Sequence, residues 1–181
     1  FSNHPGTLVC EEDEEMEAIP VSGVAFSRND ARISITRVPD RPGIAMQFFK
    51  PVADANLVVD LIIQNTSVDG LTDLTFTVPK GDLRQTLELV NAVAREVGAG
   101  EVLSDENIAK VSIVGVGMRN HAGIASHMFT ALAQAGINIM MISTSEIKIS
   151  CVIEDKFTEL AVRVLHEAFG LETPPSKRSK I

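Results

Sequence analysis

Tryptophan and tyrosine do not occur in this chain of 181 residues, and its aromatic content is eight phenylalanines. A single-stranded nucleic-acid surface built on stacked aromatics would have only Phe to use. Sixteen Lys and Arg stand against 24 Asp and Glu, and the net charge of −8 argues further against a phosphate-binding face. No nucleic-acid partner is expected. The two cysteines, Cys10 and Cys151, are too few for a disulfide framework, and a reduced, cytoplasmic protein is the simpler expectation. No uninterrupted apolar run reaches the length that spans a bilayer, and neither a secretory signal nor a membrane partner is expected. What the chain does have is a 45% apolar fraction, enough for a core, and an internal repeat.

Residues 31–45 return, two residues longer, as residues 109–125. Each copy reads as an apolar strand, a Pro/Gly/polar loop, and an amphipathic helix that opens after Gly43 or Gly123. A matching turn and strand follow each helix, over 56–64 and 136–144. A duplication of this kind sets the architecture and points to function where the two units meet.

Along the chain, the acidic run Glu11–Glu15 has too much like charge to pack and reads as a solvated linker. Residues 20–27 alternate as a strand and end at a hairpin turn, Arg28-Asn-Asp30. In the first repeat, strands are expected at 31–38, 57–64 and 71–78. Helices are expected over 44–55, with Phe48, Val52 and Ala55 on one face, and after Asp82, with Gln85 at capping-box distance. Pro51 should kink or shorten the first helix. Leu83, Leu87, Val90 and Ala94 form the stripe of the second helix, which ends at Gly98–Gly100. A short strand, 101–103, closes the unit. The second repeat carries strands at 111–116, 137–142 and 146–153 and helices over 124–135 and 155–169, the last with Leu160, Val164 and Ala168 inward. After Pro174-Pro175 a basic stretch, Lys177–Lys180, reads as a disordered tail.

The two repeats do not match in strand count. The first reads β-α-β-β-α-β and the second stops one strand short, whereas the strand at 20–27 is unassigned. The economical solution lets that strand complete the second sheet, so that the first unit is inserted into the second. Right-handed crossovers then give an α+β protein of two ferredoxin-like units, each an antiparallel sheet with helices on one face. The expected division is a leading remnant and linker over 1–17, the strand of the second unit over 18–30, the first unit over 31–108, the second over 109–171, and the tail over 172–181.

Most chemically suggestive residues have a bland reading. Gly115-Val-Gly117 follows a strand, but the dinucleotide fingerprint lacks its third glycine and no phosphate loop exists, so a tight turn is favoured. His121 and His127 do not have metal-ligand spacing. Ser143–Glu146 is given no base by the sequence. Met140-Met141 and Cys151 read as core. The loop Asp40-Arg-Pro-Gly43 stands apart, because it offers a carboxylate beside the free N–H groups of a helix N-terminus. Such a place suits a small zwitterion, and Gln64 and Asn65 could add amide contacts. A helix cap with a polar turn is the simpler alternative.

The pattern resembles the ACT-domain pair of the aspartate kinase family. The resemblance rests on Val21–Ala25, Asp40–Gly43, Gln64–Ser67, Thr72–Phe76, Lys110–Met118, His121–Ile124 and Ile142–Ile147, in the same order as in the family. Gly-Val-Gly-Met and Ile-Ser-Thr-Ser-Glu-Ile are specific to this kinase branch. Residues 1–9 resemble the end of the family's catalytic domain, whereas the ATP and aspartate machinery has no counterpart. The resemblance therefore implies the regulatory half, not an enzyme in itself, with no catalytic residue, metal or cofactor. Met16 resembles the internal start of a separate regulatory β subunit, and the residues ahead of it favour a fragment of a longer polypeptide.

By resemblance, the effector would be threonine, alone or together with lysine, bound between the first ACT unit of one chain and the second of its partner in a homodimer. The first side would be Asp40, Gly43, Ile44, Ala45 and Gln64. The partner side would be Asn138 and Ile139, with Ala125 nearby, where a hydroxyl residue can stand in the family. Binding would feed back on aspartate phosphorylation by the catalytic domain or α subunit. The competing expectations are a ligand-independent dimerisation scaffold and, last, a small enzyme on the same fold.

Overall fold

The computed structural model describes residues 20–65 and 69–172. The acidic linker, the Met16 start, residues 66–68 and the basic tail lie outside the described residues. Among the described residues eight strands and four α-helices follow in order: β1 (Gly23–Ser27), β2 (Asp30–Pro39), α1 (Ile44–Asp54), β3 (Ile62–Gln64), β4 (Leu71–Pro79), α2 (Leu83–Val97), β5 (Val102–Asp105), β6 (Ile108–Val114), α3 (Ile124–Gln134), β7 (Met141–Thr144), β8 (Lys148–Glu154) and α4 (Thr158–Ala168).

The strands form two four-stranded sheets, β3-β4-β2-β5 and β1-β6-β8-β7, in which every pairing is antiparallel. β1 lies along β6 from Gly23↔Val114 to Ser27↔Lys110, so the leading strand belongs to the second sheet and the first unit is inserted into the second. This is the tandem ferredoxin-like architecture expected from the strand count. It also corrects the hairpin at Arg28–Asp30: β1 and β2 are consecutive but belong to different sheets.

Alternation along β2 buries Ala31, Ile33 and Ile35, and along β6 it buries Ala109, Val111 and Ile113. These faces carry the helices and make two separate cores. Phe48, Phe76 and Val90 anchor the first; Met128, Leu132 and Leu165 anchor the second. The helix-free faces are more polar, with Ser34 and Thr75 hydrogen-bonded at 3.0 Å in one sheet and Ser112 and Ser150 at 2.8 Å at the corresponding place in the other. A third, smaller cluster joins the units: Leu61 and Ile63 from the first pack with Ile108, Met140, Met141 and Val152 of the second. Beside it Lys110 of β6 forms an ion pair with Asp60 and lies 3.6 Å from Asp30.

The repeat extends to backbone angles. Gly43 (φ 87, ψ −6) and Gly123 (φ 89, ψ −6) open α1 and α3 in the same left-handed conformation, which a Cβ disfavours. Both helices are 11 residues long, so Pro51 does not shorten α1. It falls in the last turn, where only its own missing N–H is lost.

Several boundaries differ from those expected. β3 starts at Ile62, not at 57, because the first residues after α1 form its closing turn, with Leu57 N–H donating to Val52 O at 3.1 Å. β7 starts at Met141 for the same reason: Ile137 N–H reaches back to Leu132 O at 2.9 Å. Asp82 makes no side-chain cap. A 3-10 turn over Lys80–Asp82 runs straight into α2, so Asp82 lacks the extended backbone of a capping residue, and its carbonyl instead accepts the Thr86 hydroxyl at 2.9 Å. A similar 3-10 turn over Asp155–Phe157 delays α4. Its buried face is Thr158, Ala161 and Leu165, and Leu160, Val164 and Ala168 are only partly buried at its flank.

Candidate effector site

β2 and β3 both run antiparallel to β4, so their C-terminal ends lie at the same end of the first sheet. That topology puts the Asp40 loop and Gln64 at one end of the sheet, on either side of β4, although they are far apart in sequence. The loop is tied down by Asp40 N–H, which donates to Gly70 O at 2.9 Å in the turn before β4. Next to Gln64, Asn65 O accepts the Thr72 hydroxyl at 2.5 Å, which fixes the end of β3 against β4.

From this end α1 departs with no side-chain cap and no acidic residue in its first turn. Its N-terminal dipole is thus not neutralised from within the helix, which favours an incoming anion. Asp40 is exposed beside it and supplies the opposite sign. Together they can receive a carboxylate and an ammonium a few ångströms apart. Ala45, one residue into the helix, is half-buried and leaves the approach open. Ile44 is only 3% exposed, and its side chain belongs to the core, so only its backbone is available to a ligand.

The expected second side is divided. Asn138 is exposed and Ile139 half-buried in the link from α3 to β7, whereas Ala125 lies in the first turn of α3. An 11-residue helix is about 16 Å long, and it separates Ala125 from the other two within one chain. Ile139 instead lines a cleft of about 340 Å³ between the units, opposite Arg32, Ser34, Ile63, Asn65 and Thr75. The sequence does not reveal this cleft, because its walls come from strands of different sheets.

The remaining candidates have structural roles. Gly115 is a glycine because a Cβ there would stand 2.3 Å from Pro20 O and 2.9 Å from Val21 Cα, where the chain enters β1. His121 Nδ1 lies 2.7 Å from Gly117 O. His127 Nε2 lies 2.9 Å from Ala168 O, and its ring meets Phe169 edge-on at 4.9 Å. Ser143 and Thr144 end β7, and Ser145 N–H donates to Lys148 O at 2.7 Å in the turn to β8. Met141 is buried and Met140 partly so. Cys151 is fully buried, and burial pushes its thiol up to about 12. Among the described residues no group of His, Cys, Asp and Glu could hold a metal ion, and no helix is long and apolar enough to cross a membrane.

The ACT-domain family matches residues 31–97 and again residues 111–169. An aspartate kinase of Stutzerimonas stutzeri is 54% identical over 175 residues, covering 96% of this chain and 42% of its own length. An aspartokinase of Helicobacter pylori is 49% identical over 176 residues, covering 95% of this chain and 43% of its own. The chain thus spans less than half the length of these relatives. Among solved structures, a chain of aspartokinase alpha and beta subunits superposes with a TM-score of 0.79 at 54% identity, covering 83% of this chain and 99% of that one. The ligand-free regulatory subunit of aspartate kinase from Thermus thermophilus gives a TM-score of 0.79 at 40% identity, with the same coverage.

Proposed function

Because this chain belongs to the aspartokinase family and matches its regulatory subunits with two ACT domains, we propose that it is an amino-acid sensor that feeds back on aspartate phosphorylation. The effector is threonine, acting alone or in concert with lysine. It binds between the first ACT unit of one chain and the second of its partner in a homodimer. The ATP-dependent transfer itself belongs to the catalytic domain or α subunit, and this chain contributes no catalytic residue, metal or cofactor.

The observation that carries the reading is the Asp40 carboxylate beside the uncapped N-terminus of α1, with Gln64 at the same end of the sheet. In this reading the first-turn N–H groups take the amino-acid carboxylate, Asp40 takes its ammonium and Gln64 adds an amide contact. Asn138 and Ile139 of the second unit close the site across the dimer. Threonine favours the dimer arrangement it binds better, and that differential affinity is what inhibits the kinase.

Calorimetric titration of threonine into the chain should show saturable binding near one site per chain. The variant Asp40→Ala should stay folded and lose most of that heat, together with threonine-induced thermal stabilisation. Unchanged affinity in the variant would sink the assignment. A second reading is favoured by Ile62 on β3 and Ile142 on β7, which are exposed at equivalent open sheet edges and suit chain-to-chain pairing alone. A stable dimer that takes up neither threonine nor lysine would support that scaffold.

A further inference from the structure

The first ACT unit departs from its repeat in the pairing of β2. β2 pairs with β4 in one register as far as Ile35↔Leu74 and in another from Val38↔Thr72, so Thr36 and Arg37 together face the single residue Asp73. Arg37 takes φ 52, the left-handed region that such a bulge usually gives to glycine. Its N–H donates to the Asp73 carboxylate, Oδ1, at 3.0 Å. On the outer side Thr36 N–H donates to Glu101 O at 2.9 Å, and Thr36 Oγ1 accepts from Glu101 N–H, also at 2.9 Å. The equivalent strand β6 runs along β8 without a shift, from Ile108↔Glu154 to Val114↔Lys148. The residue matching Arg37 there is Gly115, in extended backbone at φ 173.

The bulge decides which face the end of β2 presents. Unbroken alternation from Ala31, Ile33 and Ile35 would turn Arg37 and Pro39 into the core. The extra residue resets the phase: Val38 is 1% exposed, and position 40 shares its side of the sheet, where α1 begins. We propose that Asp73 is a positioning residue of the effector site: by holding Arg37 in the left-handed conformation, it delivers the Asp40 loop to the face from which α1 starts. The proposal rests on the effector reading above, but the loop conformation can be tested without a ligand.

Three variants of the full chain separate the outcomes: Asp73→Ala, Asp73→Asn and the double variant Arg37→Gly with Asp73→Ala. Threonine affinity is read by calorimetry and loop order by amide hydrogen exchange in ligand-free samples. Asp73→Ala should weaken threonine binding about tenfold and speed exchange of the Arg37 and Asp40 amides. Asp73→Asn keeps an acceptor oxygen and should stay within about threefold of the parent. The double variant should also return to within about threefold, because glycine holds the left-handed conformation without the clamp. Parent-like binding and exchange in Asp73→Ala would overturn the proposal. So would a loss that glycine at position 37 does not restore in a folded protein. If the parent itself takes up no threonine, the effector reading fails, and exchange at Asp40 alone decides whether Asp73 positions the loop.

Discussion

Cys151 shows how one buried side chain sets a measurable property. It is fully buried in β8, and desolvation of the thiolate raises its pKa from 9.0 to about 12. The thiolate is the reactive form, so Cys151 should resist alkylation at pH 8 in the native state and react once urea unfolds the chain. The same shift links to stability. Below pH 9 the thiol is protonated in both states and contributes nothing. Above it the unfolded thiol releases its proton and the folded one does not, so the unfolded state binds fewer protons and stability falls as pH rises toward 12. The slope is at most about 1.4 kcal/mol per pH unit. Urea unfolding between pH 8 and 11 should show a steeper decline in the parent than in Cys151→Ala, in which that group no longer titrates. Equal slopes would refute the linkage. The burial of Cys151 was legible from its place in an apolar strand. The left-handed Arg37 was not, since neither Arg nor its neighbours signal a bulge.

At the level of elements, the sequence indicates each strand and α-helix among the described residues but misplaces several ends. For β3 and β7 the cause is the same. Where a helix closes with a hydrogen-bonded turn, apolar residues such as Leu57 and Ile137 continue the pattern without yet pairing with a neighbour strand. Periodicity reports burial, not hydrogen bonding. In α4 the apolar periodicity points one residue early, because the 3-10 turn over Asp155–Phe157 rotates the start of the helix and brings Ala161 and Leu165 inward. Pro51 gives the element-scale prediction. It stands in the last turn of α1 and has no N–H to offer the carbonyl of Gln47. Pro51→Ala should restore that bond and raise stability by about 1 kcal/mol, a gain limited by the looser unfolded chain. A higher urea midpoint with an unchanged m-value is the expected result, and a lower midpoint would show that the ring itself packs usefully.

On the scale of the molecule, two cores are joined by a small apolar cluster and by one cation between two carboxylates. The Lys110 side chain is 17% exposed and those of Asp30 and Asp60 are 12% and 43% exposed, so the cluster is only partly screened by solvent. Lys110→Met would leave the two aspartates of the first unit, Asp30 and Asp60, without the cation that the second unit supplies. A loss of about 2 kcal/mol is expected, below the range for a fully buried pair because Asp60 still reaches water. Adding Asp30→Asn should recover part of it, and a double-mutant cycle with no coupling energy would argue against the arrangement. The cluster also ties the link before β3 to β6.

The sequence by itself determined the duplication, the order of elements, the apolar faces of both sheets and the Asp40–Gly43 loop at the start of α1. These are local properties: they follow from periodicity, turn residues and helix termini within a few positions of one another. Strand counting even indicated that the leading strand completes the second sheet, but only its pairing with β6 decided that. Tertiary structure alone decided that Asp40 and Gln64 share one end of a sheet, that Ala125 and Asn138 do not meet within one chain, and that Asp73 holds Arg37. The physical reason is that a strand's pattern specifies which face is buried but not which strand lies beside it. That choice is made by hydrogen bonds and side-chain packing between segments distant in sequence.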